Sequence, residues 1–398
     1  MAYADRLASL LPHALLLAVA AAFLLPTEAA YSLLFYIAVP PCLVAAAIVG
    51  PRTLPRDVAS WLAIGLILWS GLTLLWGVDD MYRAPRFGLS AAATLTFVLA
   101  GTICARDAAW RWRFGTVLVV LGGLNAAACV ARFLVDPPFA LPTDTPRLRG
   151  WGVTLHPVLG ASVMAVAMLT ALHRATGSVP RRGPYLVAAA IMAADILLTK
   201  SRGPILAAGL ATLFLWVALG WWRAAAAGLG AAALAWWLAP ASLVVGLVRA
   251  GEPSRLLIWR DALREIAERP LFGHGLAANL RPLPGLDASF PHDFYLSLLF
   301  YSGVVGLLLF VSLATALARR VWAERGGAGA AWLAALGVNA LVGGLTDFGQ
   351  VTKGPGPLWF ILWLPVCLTL APTRCGAAAG LPGEARPRPV RGAARGYR

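Results

Sequence analysis

The chain has 398 residues, of which 60% are hydrophobic and only 13% charged, and its mean hydropathy is +0.74. A soluble globular chain carries about 25% charge, and one of this length could not hide so much apolar surface from water. The composition excludes a soluble enzyme, a disordered chain and a fibrous protein, and it calls for repeated helical spans in lipid. The formal charge of +15 would suggest nucleic acid as a partner of a soluble chain. Here the basic residues sit between apolar runs, so their first role is to set orientation and no nucleic acid is expected.

Apolar runs long enough to cross a bilayer fall near residues 8–25, 31–49, 58–76, 87–103, 114–132, 153–171, 183–199, 204–221, 224–247, 294–316, 329–345 and 358–372. A span needs about 20 residues. The first run is not read as a cleaved signal peptide, because a second follows almost at once and Asp5 precedes it. The runs predict an all-α integral membrane protein of twelve transmembrane helices. One helical domain covers 1–372, a loop at 248–293 lids a site, and a basic tail at 373–398 lies disordered against anionic headgroups. The cysteines Cys42, Cys104, Cys129, Cys367 and Cys375 lie in or beside apolar runs without metal-ligand spacing, and read as small apolar side chains.

An even number of spans returns both termini to one side. With the termini inside, nineteen of the 33 basic residues but only five acids face inward, which the positive-inside rule assigns to the cytoplasm. Most of the fourteen basic residues left outside are clustered, as Arg147 with Arg149, Lys200 with Arg202, and Arg249, Arg255, Arg260, Arg264, Arg269 and Arg281, with Lys353 alone near the last span.

In chain order, the outer segments begin with Pro146-Arg147-Leu148-Arg149-Gly150 ahead of Leu155-His156-Pro157, where His156 falls inside the predicted sixth span and is assigned to packing. Thr199-Lys200-Ser201-Arg202-Gly203 joins the seventh and eighth spans through a very tight turn. Free amides at the start of the eighth helix, with Arg202 beside them, suit a diphosphate. Ser254 to Pro270 reads as an amphipathic helix capped by Ser254, with Trp259, Ala262, Leu263 and Ile266 on one face and Asp261–Arg264, Arg264–Glu268 and Glu265–Arg269 able to pair. It would roof a cavity and deliver Arg255 or Arg260 into it. His274 follows in a glycine-flanked turn. His292 then stands directly after a proline, at the outer mouth of the tenth span, beside Asp293. A neutral imidazole there can accept a proton, and a neighbouring carboxylate can fix its tautomer. Asp347, after the eleventh span, can pair with an arginine or orient a hydroxyl. The chain has no phosphate-binding GxxxxGK[ST] loop, no dinucleotide fingerprint and no His, Cys and carboxylate set at metal spacing. Arginines would then have to supply any electrostatic stabilisation of a diphosphate.

Four pieces carry a family resemblance. They are Arg149-Gly150 leading into Leu155-His156-Pro157-Val158-Leu159-Gly160; Ser201-Arg202-Gly203; Arg255-Leu256-Leu257-Ile258-Trp259 through Pro270-Leu271-Phe272-Gly273-His274-Gly275; and His292-Asp293-Phe294-Tyr295-Leu296 followed by Gly303 and Gly306. In this order and topology, over nearly the whole chain, it resembles the O-antigen ligases of the O-antigen ligase/polymerase superfamily. Two positions depart from the family's habit: Asp293 stands where Asn or Ser is frequent, and His156-Pro157 where an Asn is frequent. The resemblance implies a metal-independent, inverting glycosyltransferase without a cofactor, working as a monomer at the periplasmic face of a bacterial inner membrane. It would take a glycan from undecaprenyl diphosphate and join it to a sugar hydroxyl of lipid A–core, with membrane lipids around it. The residues expected to do this are His292 as the general base and Arg202, Arg255, Arg149 and Arg147 on the diphosphate. Lys200, Arg260, His274, Asp293 and Asp347 stand in support. The rival readings are an O-antigen polymerase using the same donor and, more remotely, a secondary transporter. A transporter predicts charges within the spans, where Asp195 near the outer end of the seventh is one of few.

Overall fold

The computed structural model describes residues 2–50, 57–77, 84–135, 147–176, 182–238, 253–282 and 289–371. The tail at 373–398, the second half of the ninth apolar run and the start of the long loop, with Arg249, lie outside them. The helices are α1 (Ala2–Ser9), α2 (Leu11–Leu24), α3 (Glu28–Val49), α4 (Val58–Leu72), α5 (Ala84–Cys104), α6 (Ala108–Val135), α7 (Pro157–Thr176), α8 (Arg182–Leu198), α9 (Arg202–Ala218), α10 (Trp222–Leu238), α11 (Pro253–Glu268), α12 (Phe294–Ala323) and α13 (Ala328–Gly344). The last apolar run is a π-helical turn, Trp359–Trp363, that continues as α14 (Leu364–Leu370).

The chain is an all-α, multi-span membrane protein. Among the described residues six helices are long and apolar enough to cross a bilayer, namely α3, α4 with its 3-10 extension to Leu75, α5, α6, α7 and α12. Counting α1 and α2, bent by 43° at their junction, as one span makes seven. α8, α9, α10 and α13 are apolar helices of 17 residues each, just under the length of about 20 that a span needs. α3 shows the lipid-facing habit most plainly. Tyr31, Phe35, Val39, Cys42 and Ala46 form its buried stripe, while Leu33, Ile37, Val44 and Ile48 form an equally apolar stripe that is exposed. A helix apolar all round needs protein on one side and lipid on the other. α7 is the centre of the bundle: every residue from Gly160 to Ala171 is buried, between α6, α8, α9 and α13.

Several elements depart from the sequence reading. The sixth span begins at Pro157 rather than near 153, because Gly152–Thr154 forms a separate 3-10 turn. α11 begins at Pro253, so Ser254 lies within its first turn and does not cap it; Pro is at home as the first helical residue. The buried face of α11 is Ile258, Ala262, Glu265 and Ile266, whereas Leu263 is exposed. This face rests with Phe300, Tyr301, Ala278 and Leu280 in a small second core on the first turns of α12. Among the described residues, Glu268 pairs with Arg281 at 2.8 Å and the Glu265 carboxylate accepts from the Arg281 amide at 2.9 Å, in place of the three intrahelical pairs expected.

The largest departure lies inside α12. Hydropathy runs unbroken through this segment, yet the backbone leaves helical geometry at Gly303, where φ is 65° and ψ −168°. The break frees carbonyls and amides that would otherwise bond within the helix. The Pro270–Gly275 segment answers them one by one. His274 N donates to Phe300 O at 2.7 Å and Gly275 N to Tyr301 O at 3.0 Å, while Val304 N donates to Pro270 O at 2.8 Å and Val305 N to Leu271 O at 3.3 Å. The Trp69 indole from α4 donates to Ser302 O at 3.0 Å. A Cβ at position 303 would collide with the Leu271 carbonyl and would hold a left-handed φ. Gly303→Ala should therefore lower stability by about 2 kcal/mol or more, read as a drop in the unfolding temperature of the purified protein, whereas the neighbouring Leu307→Ala should leave the break intact.

Candidate active site

The site assembles where four segments meet around Thr346–Thr352, the stretch that follows α13. This stretch is clamped from several sides. The Trp363 indole donates to Val351 O at 2.8 Å, Thr94 Oγ1 to Thr352 O at 3.1 Å, Gln350 Nε2 to Leu276 O at 2.7 Å and Ser297 Oγ to Phe348 O at 3.3 Å. Its carboxylate, Asp347, is buried.

His292 meets that carboxylate. Its Nδ1 lies 3.3 Å from Asp347 Oδ1, with the imidazole side chain 33% exposed. Donation from Nδ1–H to the carboxylate leaves the Nε2 lone pair free, which is the arrangement a proton acceptor needs. The histidine is held in the left-handed region at φ 53°, where a non-glycine residue marks a geometry imposed by its surroundings. Those surroundings are Pro291, whose carbonyl accepts from the Trp259 indole of α11 at 3.1 Å, and Phe290, whose ring centroid is 4.0 Å from the imidazole. The adjacent Asp293, the sequence-level candidate for orienting the ring, does something else. It is the N-cap of α12, its carboxylate accepting from Leu296 N at 2.8 Å, and burial pushes its carboxyl above the ordinary range.

The arginines approach from two directions. Arg255 of α11 donates to Thr346 O at 2.8 Å, next to Asp347. From the other side, α8 ends at Leu198 and α9 starts at Arg202, so the turn between them is as tight as expected, with Lys200 at a left-handed φ of 52°. α9 packs closely on α13: a Cβ on Gly203 would collide with the Thr346 side chain. This close approach puts exposed Arg202 beside Thr346. Arg147 joins them, its Nε donating to Thr199 O and its Nη2 to Ser201 Oγ, both at 2.9 Å. Leu148, buried between Arg147 and Arg149, donates its amide to Leu198 O at 3.0 Å. Arg147 and Arg149, on either side of buried Leu148, are both exposed.

Two expected members stand apart. His274 stacks on Phe300 at 4.9 Å and its Nε2 lies 2.7 Å from Glu265 O, so its ring pins α11 to the broken helix. Arg260 is exposed and lies roughly 140° around α11 from Arg255 at 3.6 residues per turn. His156, expected inside the sixth span, stands just before it instead. His156 is the N-cap of α7, exposed at the edge of the same cluster, with Nδ1 accepting from Leu159 N at 3.3 Å.

On the flank of α12 near its break, Trp69, Trp76, Phe272, Leu271, Pro270 and Arg269 line an apolar cavity of about 630 Å³.

The description of the family model that matches residues 187–311 is O-antigen ligase. This stretch runs from α8 through the long loop into α12, and it contains Arg202, Arg255, His274 and His292. The chain is also similar to the O-antigen ligase of Pseudomonas aeruginosa strain PAO1, at 29% identity over 353 residues, which cover 86% of this chain and 85% of that one. The two matches support the O-antigen ligase/polymerase superfamily.

The two neighbouring carboxylates make separable predictions. Asp293→Asn, which keeps a capping side chain, should leave the protein's stability within about 0.5 kcal/mol, and Asp293→Ala should lose about 1 kcal/mol. Both should leave the His292 ring oriented, as read from the histidine side-chain NMR shifts. Asp347→Ala should disturb those shifts while α12 stays capped.

Proposed function

We propose that the chain is a glycosyltransferase that moves O-antigen glycan from undecaprenyl diphosphate to a sugar hydroxyl of lipid A–core, at the periplasmic face of a bacterial inner membrane. The observation that carries this reading is the His292–Asp347 pair at 3.3 Å, with Arg255 bonded to the neighbouring Thr346 carbonyl, in a chain that resembles an O-antigen ligase over most of its length. On the reading of twelve spans with cytoplasmic termini, drawn from the apolar runs and the positive-inside partition of the charges, this cluster would lie on the outer side.

In this mechanism His292 Nε2 takes the proton of the acceptor hydroxyl as its oxygen attacks the anomeric carbon. Asp347 holds the opposite ring nitrogen and stabilises the imidazolium that forms. The bond from the anomeric carbon to the diphosphate oxygen breaks on the far side, so the configuration inverts and undecaprenyl diphosphate leaves. Charge grows on that diphosphate in the transition state, and guanidinium groups placed in advance stabilise it there. Arg255, bonded to the Thr346 carbonyl next to Asp347, and Arg202, adjacent to Gly203 where it packs on Thr346, are assigned this role, with Arg147 and Arg149 supporting them and Lys200 adding positive potential. No metal or cofactor takes part in this proposal. The apolar cavity beside Trp69 and Phe272 opens a lipid-compatible flank, suited to the isoprenoid chain of the donor.

Reconstitution with lipid-linked glycan and lipid A–core should give glycosylated core. His292→Ala should reduce the rate by about 10²- to 10⁴-fold. Arg202→Lys should lose most activity despite keeping its charge, because an ammonium cannot make the bidentate contact. Longer glycan chains formed without any core would contradict the acceptor assignment and favour polymerase chemistry; retained activity in His292→Ala would contradict the base.

A further inference from the structure

We infer that His156 is a second imidazole of this site, a neutral hydrogen-bond donor whose Nε2–H binds a phosphate oxygen of the lipid diphosphate. The inference rests on the diphosphate reading above and assigns it a contact that is not an arginine.

The argument starts with the helix cap. The His156 carbonyl accepts the first intrahelical bond of α7, from Gly160 N at 2.7 Å, which makes His156 the N-cap and Pro157 the first helical residue. A capping side chain accepts from the backbone amide two or three positions into the helix, and here the acceptor is Nδ1, taking Leu159 N–H at 3.3 Å. An imidazole nitrogen can accept only through its lone pair. Nδ1 is therefore unprotonated, and the ring's one proton sits on Nε2. Protonating the ring fully would break the cap, which resists the change. The surroundings favour the same state. Burial lowers the basicity of this imidazole against the raising field of Asp347, and Lys353, Arg147 and Arg149 add to the lowering. These are the charged groups that face it.

The cap also fixes where the ring stands. The next carbonyl, Pro157 O, accepts from Ser201 Oγ at 3.2 Å, and that same hydroxyl accepts from Arg147 Nη2 at 2.9 Å. His156 is thus anchored one residue from the turn that carries Arg202, partly covered by its neighbours and partly open to solvent. A histidine that served only as a cap would be a poor choice, since Ser, Asn or Asp fills that position better. A donor without charge contributes something the arginines cannot: it binds an oxygen without adding to the repulsion among Arg147, Arg149, Arg202 and Arg255.

The test is direct binding of undecaprenyl diphosphate to the full chain in nanodiscs, without acceptor or turnover. In His156→Ser the helix keeps a good cap, so the unfolding temperature should match or exceed the wild type, while the dissociation constant should rise about tenfold or more. His156→Asn, a second capping variant, should behave alike and serves if the serine variant is unstable. Binding unchanged in a folded His156→Ser, with Arg202→Ala weakened, would overturn the His156 assignment alone. Binding unchanged in Arg202→Ala as well, or absent in the wild type, would overturn the diphosphate reading and this inference with it.

Discussion

The site depends on a broken helix that is completed by another part of the chain. In a membrane every backbone donor and acceptor must find a partner within the protein, so a helix may part only where something replaces its internal bonds. At Gly303 the replacement is Pro270–Gly275, which exchanges four backbone hydrogen bonds with α12 across the break, and the Trp69 indole, which takes a fifth group. Because only Arg269 separates Pro270 from the end of α11, docking this segment fixes α11 over the first turns of α12. The small core of Ile258, Ala262, Ile266, Phe300 and Tyr301 then fills the space between them. Two consequences reach the chemistry: Arg255 is carried to Thr346, and Trp259 grips the carbonyl just before His292.

The second support is the Thr346–Thr352 stretch, which itself belongs to no helix. Side chains from α4's neighbour α5, from α12 and from the final helix hold it by its carbonyls, through Thr94, Ser297 and Trp363. A carboxylate on so firmly held a backbone can fix an imidazole without moving, and preorganisation of that kind is where an enzyme gains most of its electrostatic advantage. α9 adds the third side. Its close packing at Gly203 brings Arg202, Lys200 and the Arg147 anchor to the same mouth. Arg147, Arg202 and Arg255 are thereby brought toward the Thr346 end of the stretch that carries the buried acid Asp347.

Much of this was legible in the sequence where the signal is local. The apolar runs located the helices, because an apolar stretch in a chain this hydrophobic has few alternatives to a span. His292 was legible as a histidine at a span mouth behind a proline, and the tight turn before Arg202 as a gap too short for anything else. What escaped was non-local or depended on phase. The partner of His292 is 55 residues away, whereas the adjacent Asp293 looked suitable and is occupied in capping. The buried face of α11 was misjudged because Leu263 is apolar but exposed, and Glu265 is charged but buried through its bonds to Arg281 and the long-loop turn. His156 was hidden by a hydropathy boundary four residues too early. The break at Gly303 is not resolved by hydropathy, since the whole of Phe294–Ala323 reads as one long apolar helix.

The central claim is that His292 and Asp347 act as one unit. The most direct measurement is a double-mutant cycle on single-turnover glycan transfer, with His292→Ala, Asp347→Ala and the pair. Residues that act through one another lose about as much singly as together, so the double variant should be no slower than His292→Ala within experimental error. Losses that multiply, with Asp347→Ala slowing the His292→Ala protein as much as it slows the wild type, would contradict the account.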